Sequence, residues 1–190
     1  MSIYPVIKPA SLAIHVAVLV AALAGAGAMA TPAQASETTQ PLPVPQHLAA
    51  ASSAETEAAL LAARRYAAFW NTGDPAWAQL ALAPPFTDHT LPPGREQGRG
   101  GPLQASRGFR TAVPDLRAEV TEMVAAGDRV SVRLHFSGHF TGQFGKVQGQ
   151  GQVIDFQAFD LYRVADGRIT DNWHLEDNLT LLKQMGIVQQ

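Results

Sequence analysis

The sequence predicts an α+β domain in which helices are segregated on one face of a strongly curved, mainly antiparallel sheet. Three observations carry this. Apolar residues recur at helical spacing between residues 54 and 71, long alternating segments separated by turn signals fill residues 116–176, and a short helical pattern closes the chain. The 190 residues are 46% hydrophobic, enough for one globular core plus an extension.

The first 35 residues predict an export signal. Lys8 supplies a positive charge, residues 11–30 carry none, and Ala28-Met29-Ala30 and Ala33-Gln34-Ala35 are small-residue cleavage sites. The run is rich in Ala and Gly rather than Leu and Ile, which favours a cleaved signal over a retained anchor. Cleavage near Ala35 (or Ala30) predicts a periplasmic or secreted protein with no stable membrane association. Residues 36–53, rich in Pro, Thr, Gln and Ser, predict a flexible leader, so the domain is expected over 54–190.

The first helix starts after Ser52 or Ser53, with Glu55 and Glu57 suited to its first turn. Ala59, Ala62, Tyr66, Phe69 and Trp70 form its apolar stripe, and Asn71-Thr72-Gly73 ends it. Asp74-Pro75 opens a second short helix, Pro84-Pro85 stops it, and residues 86–90 are extended. Residues 91–101, crowded with Gly and Pro, predict a mobile loop before a helix over 102–112. Strands follow over about 116–125, 129–141, 150–163 and 168–176. Gly127-Asp128, the 142–149 loop and Asp166-Gly167 separate them, the last being a strong hairpin-turn signal. Residues 178–185 close the chain as a helix that stops at Gly186. In the second of these strands Val130, Val132, Leu134, Phe136 and Phe140 share one face, and Ser131, Arg133, His135, Ser137 and His139 the other.

The totals exclude several chemistries. There is no cysteine, hence no thiol catalysis, disulfide or zinc-thiolate site, and a net charge of −2 without a basic block argues against nucleic acid. His174 and Glu176, two apart on a strand, offer two donors of metal-binding type, and His135 and His139 lie on polar faces. No HExxH or comparable spacing turns them into a metal site.

Candidate site residues come mainly from the last strand. Strict alternation there places Ile169, Asp171, Trp173, Leu175 and Asp177 on one face and Thr170, Asn172, His174 and Glu176 on the other. A carboxylate beside Trp173 and Leu175 is desolvated, which raises its pKa towards neutrality and makes Asp177 an acid/base. The competing reading makes Asp177 a helix cap. Trp173 is the candidate for stacking on a flat ligand. His89, with Asp88 beside it, polarises a carbonyl at the pocket mouth, and Tyr66, Phe69 and Phe156 supply apolar wall. Phe156 and Phe159 differ in parity, so one of the two faces outward.

In order and spacing, several segments resemble the SnoaL-like polyketide cyclases, often called ester cyclases. They are Phe86-Thr87-Asp88-His89, Val113-Pro114-Asp115-Leu116, Ala126 to Val130, Gly138 to Phe144, Asp160 to Arg163, Asp166 to Ile169 and Trp173 to Asp177, with Leu181 to Gly186. The resemblance spans residues 54–188 and implies the cone-shaped fold of ketosteroid isomerase and nuclear transport factor two. It further implies cofactor-independent, metal-free intramolecular aldol chemistry on a small hydrophobic substrate, with an acid/base aspartate four residues after the last-strand tryptophan, here Asp177. A homodimer through the exposed sheet face is also implied. The chain departs from the family pattern at Phe140, where a histidine is usual, with His139 one residue earlier. An exported cyclase or isomerase is the leading expectation. The alternatives are a non-catalytic module binding a hydrophobic ligand or a protein, and an epoxide or lactone hydrolase, for which Asp160 or Arg163 would supply the second polar group.

Overall fold

Two positive-φ residues, Asp166 and Gly167, make the tight turn that joins the last two strands of the sheet. In the computed structural model, which describes residues 40–188, these are β7 (Gln152–Ala165) and β8 (Arg168–Glu176). The preceding strands are β1 (His47–Ala50), β2 (Leu82–Asp88), β3 (Arg117–Ala126) and β4 (Arg129–Phe140). They form one six-stranded sheet in the order β1-β3-β4-β7-β8-β2, antiparallel except for its two edge pairs, β1 with β3 and β2 with β8. A separate two-stranded hairpin, β5 (Gln143–Phe144) with β6 (Val147–Gln148), lies in the 142–149 loop.

Among the described residues four helices accompany the sheet: α1 (Ala54–Thr72), α2 (Pro75–Ala81), α3 (Gly100–Ala112) and α4 (Asn178–Gln184). Ser53 caps α1, accepting a hydrogen bond from the Thr56 N–H at 3.1 Å, and Gly73 ends it in the left-handed conformation. Asp74 caps α2, with Pro75 at its first position. Pro84 and Pro85 lie in β2, which tolerates their missing N–H groups because it is an edge strand. Ala59, Ala62, Tyr66 and Phe69 of α1 are fully or almost fully buried against the sheet, and Trp70 is half-buried beside them.

The α+β architecture is therefore as expected, and so is the alternation in β4, whose even-numbered residues from 130 to 136 are buried. Two expectations are corrected. The second half of the leader is part of the fold: β1 pairs with β3, and the Arg64 guanidinium donates to the carbonyls of Pro43 (2.7 Å) and Leu42 (3.3 Å). The 91–99 loop is tied down, since the Gln97 side chain accepts from the Asp88 N–H at 2.8 Å and donates to the Asp88 carbonyl at 2.9 Å. The export signal and its cleavage sites lie outside the described residues.

Candidate active site

Side chains of β7 alternate strictly, so Phe156, Ala158, Asp160 and Tyr162 point to the concave face while Phe159 and Leu161 are exposed. The same alternation does not hold through β8. Val164 pairs with Ile169 but Arg163 pairs with Asp171, leaving Thr170 as an extra, bulged residue. One inserted residue reverses the faces of everything after it. Asn172, His174 and Glu176 consequently enter the cavity, and Asp171, Trp173 and Leu175 turn to the outer face. This corrects the face assignment made from alternation alone.

The cavity has a volume of about 340 Å³ and lies between the sheet, α1, α3 and the 91–99 loop. Its aromatic wall comes from Tyr66, Trp70, Phe109, Phe136 and Phe156; the rings of Phe136 and Phe156 stack at 5.2 Å between centroids. Its polar part comes from β2, β7 and β8. Asp160 accepts from the Asn172 amide at 3.0 Å, and burial pushes its carboxyl up to about 7 against the smaller opposing effects of Asn172 and the nearby His174 charge. The Asn172 side-chain oxygen is buried with no partner. Burial also holds the Tyr66 hydroxyl well above the ordinary phenol range, so Tyr66 remains a neutral proton donor.

His174 lies between two carboxylates. Its Nδ1 is 2.8 Å from Glu176 Oε1, and its Nε2 is 3.0 Å from Asp88 Oδ2. Burial by itself lowers the pKa of this ring, but the hydrogen bonds and charges of Glu176 and Asp88 outweigh it and bring it to about 9. His174 is thus an imidazolium whose two ring N–H groups both donate to carboxylates. Asp88 is further fixed by the Thr90 N–H at 2.9 Å, and the Thr90 hydroxyl accepts from the His174 backbone N–H at 2.9 Å. Among the described residues no group of three His, Asp or Glu side chains is disposed to hold a metal ion.

Of the residues singled out from sequence, Tyr66, Asp88, Phe156 and Asp160 line this cavity, as do His174 and Glu176, noted there only as donors of metal-binding type. Phe69 lies behind the wall, fully buried and packed on Tyr66 at 5.8 Å. Trp173 and His89 are outside it: their rings stack on each other at 4.3 Å on the outer face, where His89 Nε2 meets Asp171 at 2.8 Å and Arg163 completes the group at 2.6 Å from the same carboxylate. Asp177 is also outside. It caps α4, accepting from the Thr180 N–H at 3.0 Å and the Thr180 hydroxyl at 2.7 Å, and those bonds hold its carboxyl below the usual carboxylate range. The expected desolvated acid/base at Asp177 is therefore replaced by a solvated cap, and the cavity carboxylate that burial leaves with a raised pKa is Asp160. A signal for Asp160 is present in the sequence, because it shares parity with Phe156 and Tyr162. Asn172 and Glu176 carry no such signal, since the bulge that turns them inward leaves no mark on composition.

The SnoaL-like polyketide cyclase family pattern matches residues 60–185. The chain belongs to that family. A crystal structure of a candidate polyketide cyclase from Bacillus cereus is similar over 77% of this chain and 95% of its own, at 38% identity and a TM-score of 0.70. IdmH of Streptomyces antibioticus, also a candidate polyketide cyclase, covers 67% of this chain and 98% of its own at 28% identity and a TM-score of 0.61. A protein of ketosteroid isomerase-like fold from Catenulispora acidiphila, 20% identical with a TM-score of 0.53 over 67% of this chain and 93% of its own, agrees in fold. No curated protein matches. As a SnoaL-like protein the chain has a family basis for cyclase or isomerase function.

Proposed function

We propose that this SnoaL-like protein is an exported cyclase or isomerase that works by general acid/base catalysis on a small, largely apolar carbonyl compound, without a cofactor. The observation that carries this reading is Asp160: a carboxyl enclosed in an aromatic cavity and titrating at about 7, where either protonation state is accessible at neutral pH.

For intramolecular aldol closure, ionised Asp160 takes a proton from the carbon α to a carbonyl, and the electron pair moves onto the carbonyl oxygen. Neutral Tyr66 donates a hydrogen bond to that enolate oxygen. The α-carbon then bonds to a second carbonyl carbon of the same molecule, and the alkoxide so formed recovers the proton from Asp160. His174 is a positioning residue. Both of its ring N–H groups are occupied, but its positive charge, held by Asp88 and Glu176, keeps the ionised form of Asp160 from becoming too costly. A positioned general base of this kind contributes about 10²–10⁴-fold to the rate.

The test is α-proton exchange of 2-tetralone in D₂O, followed by NMR. The wild type should accelerate exchange, with the rate rising through a pH of about 7, and Asp160→Asn should lose about 10²-fold or more. Equal rates in the two proteins would remove the proposal and leave a ligand-binding module. Export predicts that the mature protein starts near Ser36, read by intact mass; a full-length cytoplasmic chain would contradict it. The homodimer is supported by the outer face, where Phe159 is 52% and Leu175 74% exposed as cross-strand neighbours. Light scattering should give twice the chain mass, falling to the monomer in Phe159→Lys/Leu175→Lys; a monomeric wild type would refute it.

A further inference from the structure

Every anionic or cationic group at the polar end of the cavity has a partner, with one exception. Asp88 and Glu176 share His174, and Asp160 accepts from Asn172. Arg95, on the wall formed by the 91–99 loop, forms no ion pair among the described residues, and its backbone N–H donates to the Pro92 carbonyl at 3.1 Å. The side chain is half-buried, and its charge is felt inside: it helps to hold the Glu176 carboxyl low and acts in the same sense on Tyr66. A guanidinium is always charged and presents a planar fork of donors, so a half-desolvated one beside an apolar cavity lacks the bidentate acceptor it matches. The loop that carries it is not free to swing away, because Gln97, two residues on, is clipped to both backbone groups of Asp88.

We propose that the substrate carries a carboxylate, which Arg95 pairs at the loop wall while the reacting α-carbon lies towards Asp160. This rests on the acid/base reading above for its second half. Orientation follows from charge: Asp88, Asp160 and Glu176 repel an anion from the polar end of β8, and Arg95 is the cavity-lining cation that forms no ion pair among the described residues. Arg95 thereby becomes a specificity-determining residue, selecting acids over neutral ketones of the same shape.

The experiment compares 2-naphthoate with neutral 2-acetylnaphthalene, binding to the full mature domain by calorimetry. The wild type should favour the carboxylate by about tenfold or more, and Arg95→Met should abolish that preference while changing 2-acetylnaphthalene affinity by no more than about twofold. Arg95→Lys should restore part of it, since a point charge replaces a fork. Equal wild-type affinities, or a parallel loss of both probes in Arg95→Met, would overturn the assignment. Exchange of 2-tetralone on the same samples separates the two readings. Exchange without carboxylate preference overturns the role of Arg95 alone; preference without exchange overturns the acid/base reading and leaves Arg95 as the anchor of a bound acid.

Discussion

Two histidines on opposite sides of β8 meet carboxylates at nearly the same distance, yet they do different work. His174, inside, is 8% exposed and held by Asp88 and Glu176 at 3.0 and 2.8 Å. His89, outside, contacts Asp171 at 2.8 Å, but its side chain is 36% exposed and its ring is braced by Trp173. Water reaches the outer pair through the His89 ring, although Asp171 itself is only 8% exposed, so that pair is worth less than the inner group, whose imidazolium is enclosed and on which both carboxylates depend. A His–Asp contact is therefore no sign of a site by distance alone. Burial on a cavity wall distinguishes the two.

The largest expected effect probes the buried cluster. His174→Gln leaves Asp88 and Glu176 facing each other without a cation and should cost about 3–5 kcal/mol in urea unfolding, whereas His89→Gln should cost no more than about 1 kcal/mol. Similar losses would erase the distinction. The next effect concerns pH. Folding raises the Asp160 pKa from 3.8 to about 7 and that of His174 from 6.5 to about 9. Both raised values make stability fall as pH increases: the Asp160 part is complete below its unfolded pKa and lost through about 7, and the His174 part is lost through about 9. Asp160→Asn should therefore flatten the decline between about pH 4 and pH 8 by a few kcal/mol, leaving the His174 limb. An unchanged slope would mean that Asp160 is solvated. The smallest effect belongs to Asp177→Ala, which should lower Tm slightly through loss of the α4 cap and leave tetralone exchange unaltered. A large loss of exchange would return Asp177 to the chemistry.

Much of the fold is legible in the sequence because its signals are local. Ser53 and Asp74 as caps, Gly73 as a stop, the Asp166-Gly167 turn and the alternation of β4 each depend on a few adjacent residues. The features that escape depend on pairing. β1 lies in a Pro- and Ser-rich segment whose composition argues against order, and it forms because the exposed edge of β3 offers unpaired backbone groups. Two of the six candidate site residues are readable for a similar reason: Tyr66 and Phe156 follow from helical and strand periodicity in uninterrupted elements. Trp173 and Asp177 are assigned to the pocket by counting in twos across residue 170, and the count slips there. His89 follows Trp173 outward, because the two rings stack. Asp177 illustrates the consequence: its sequence supports both an acid/base and a helix cap, and the bonds to Thr180 decide for the cap.

The bulge at Thr170 has the character of a reading frame. From Asp171 onward the chain spells two interleaved inventories: Asp171, Trp173 and Leu175, or Asn172, His174 and Glu176. A residue more or less before them exchanges one list for the other without altering a single letter. Removing Thr170 would offer the cavity an aspartate, an indole and a leucine, and hand the amide, imidazolium and glutamate to solvent. A relative whose β7–β8 hairpin differs by one residue would thus present a different chemistry from a nearly identical strand. Comparing hairpin lengths is therefore the first step in transferring site residues between such chains.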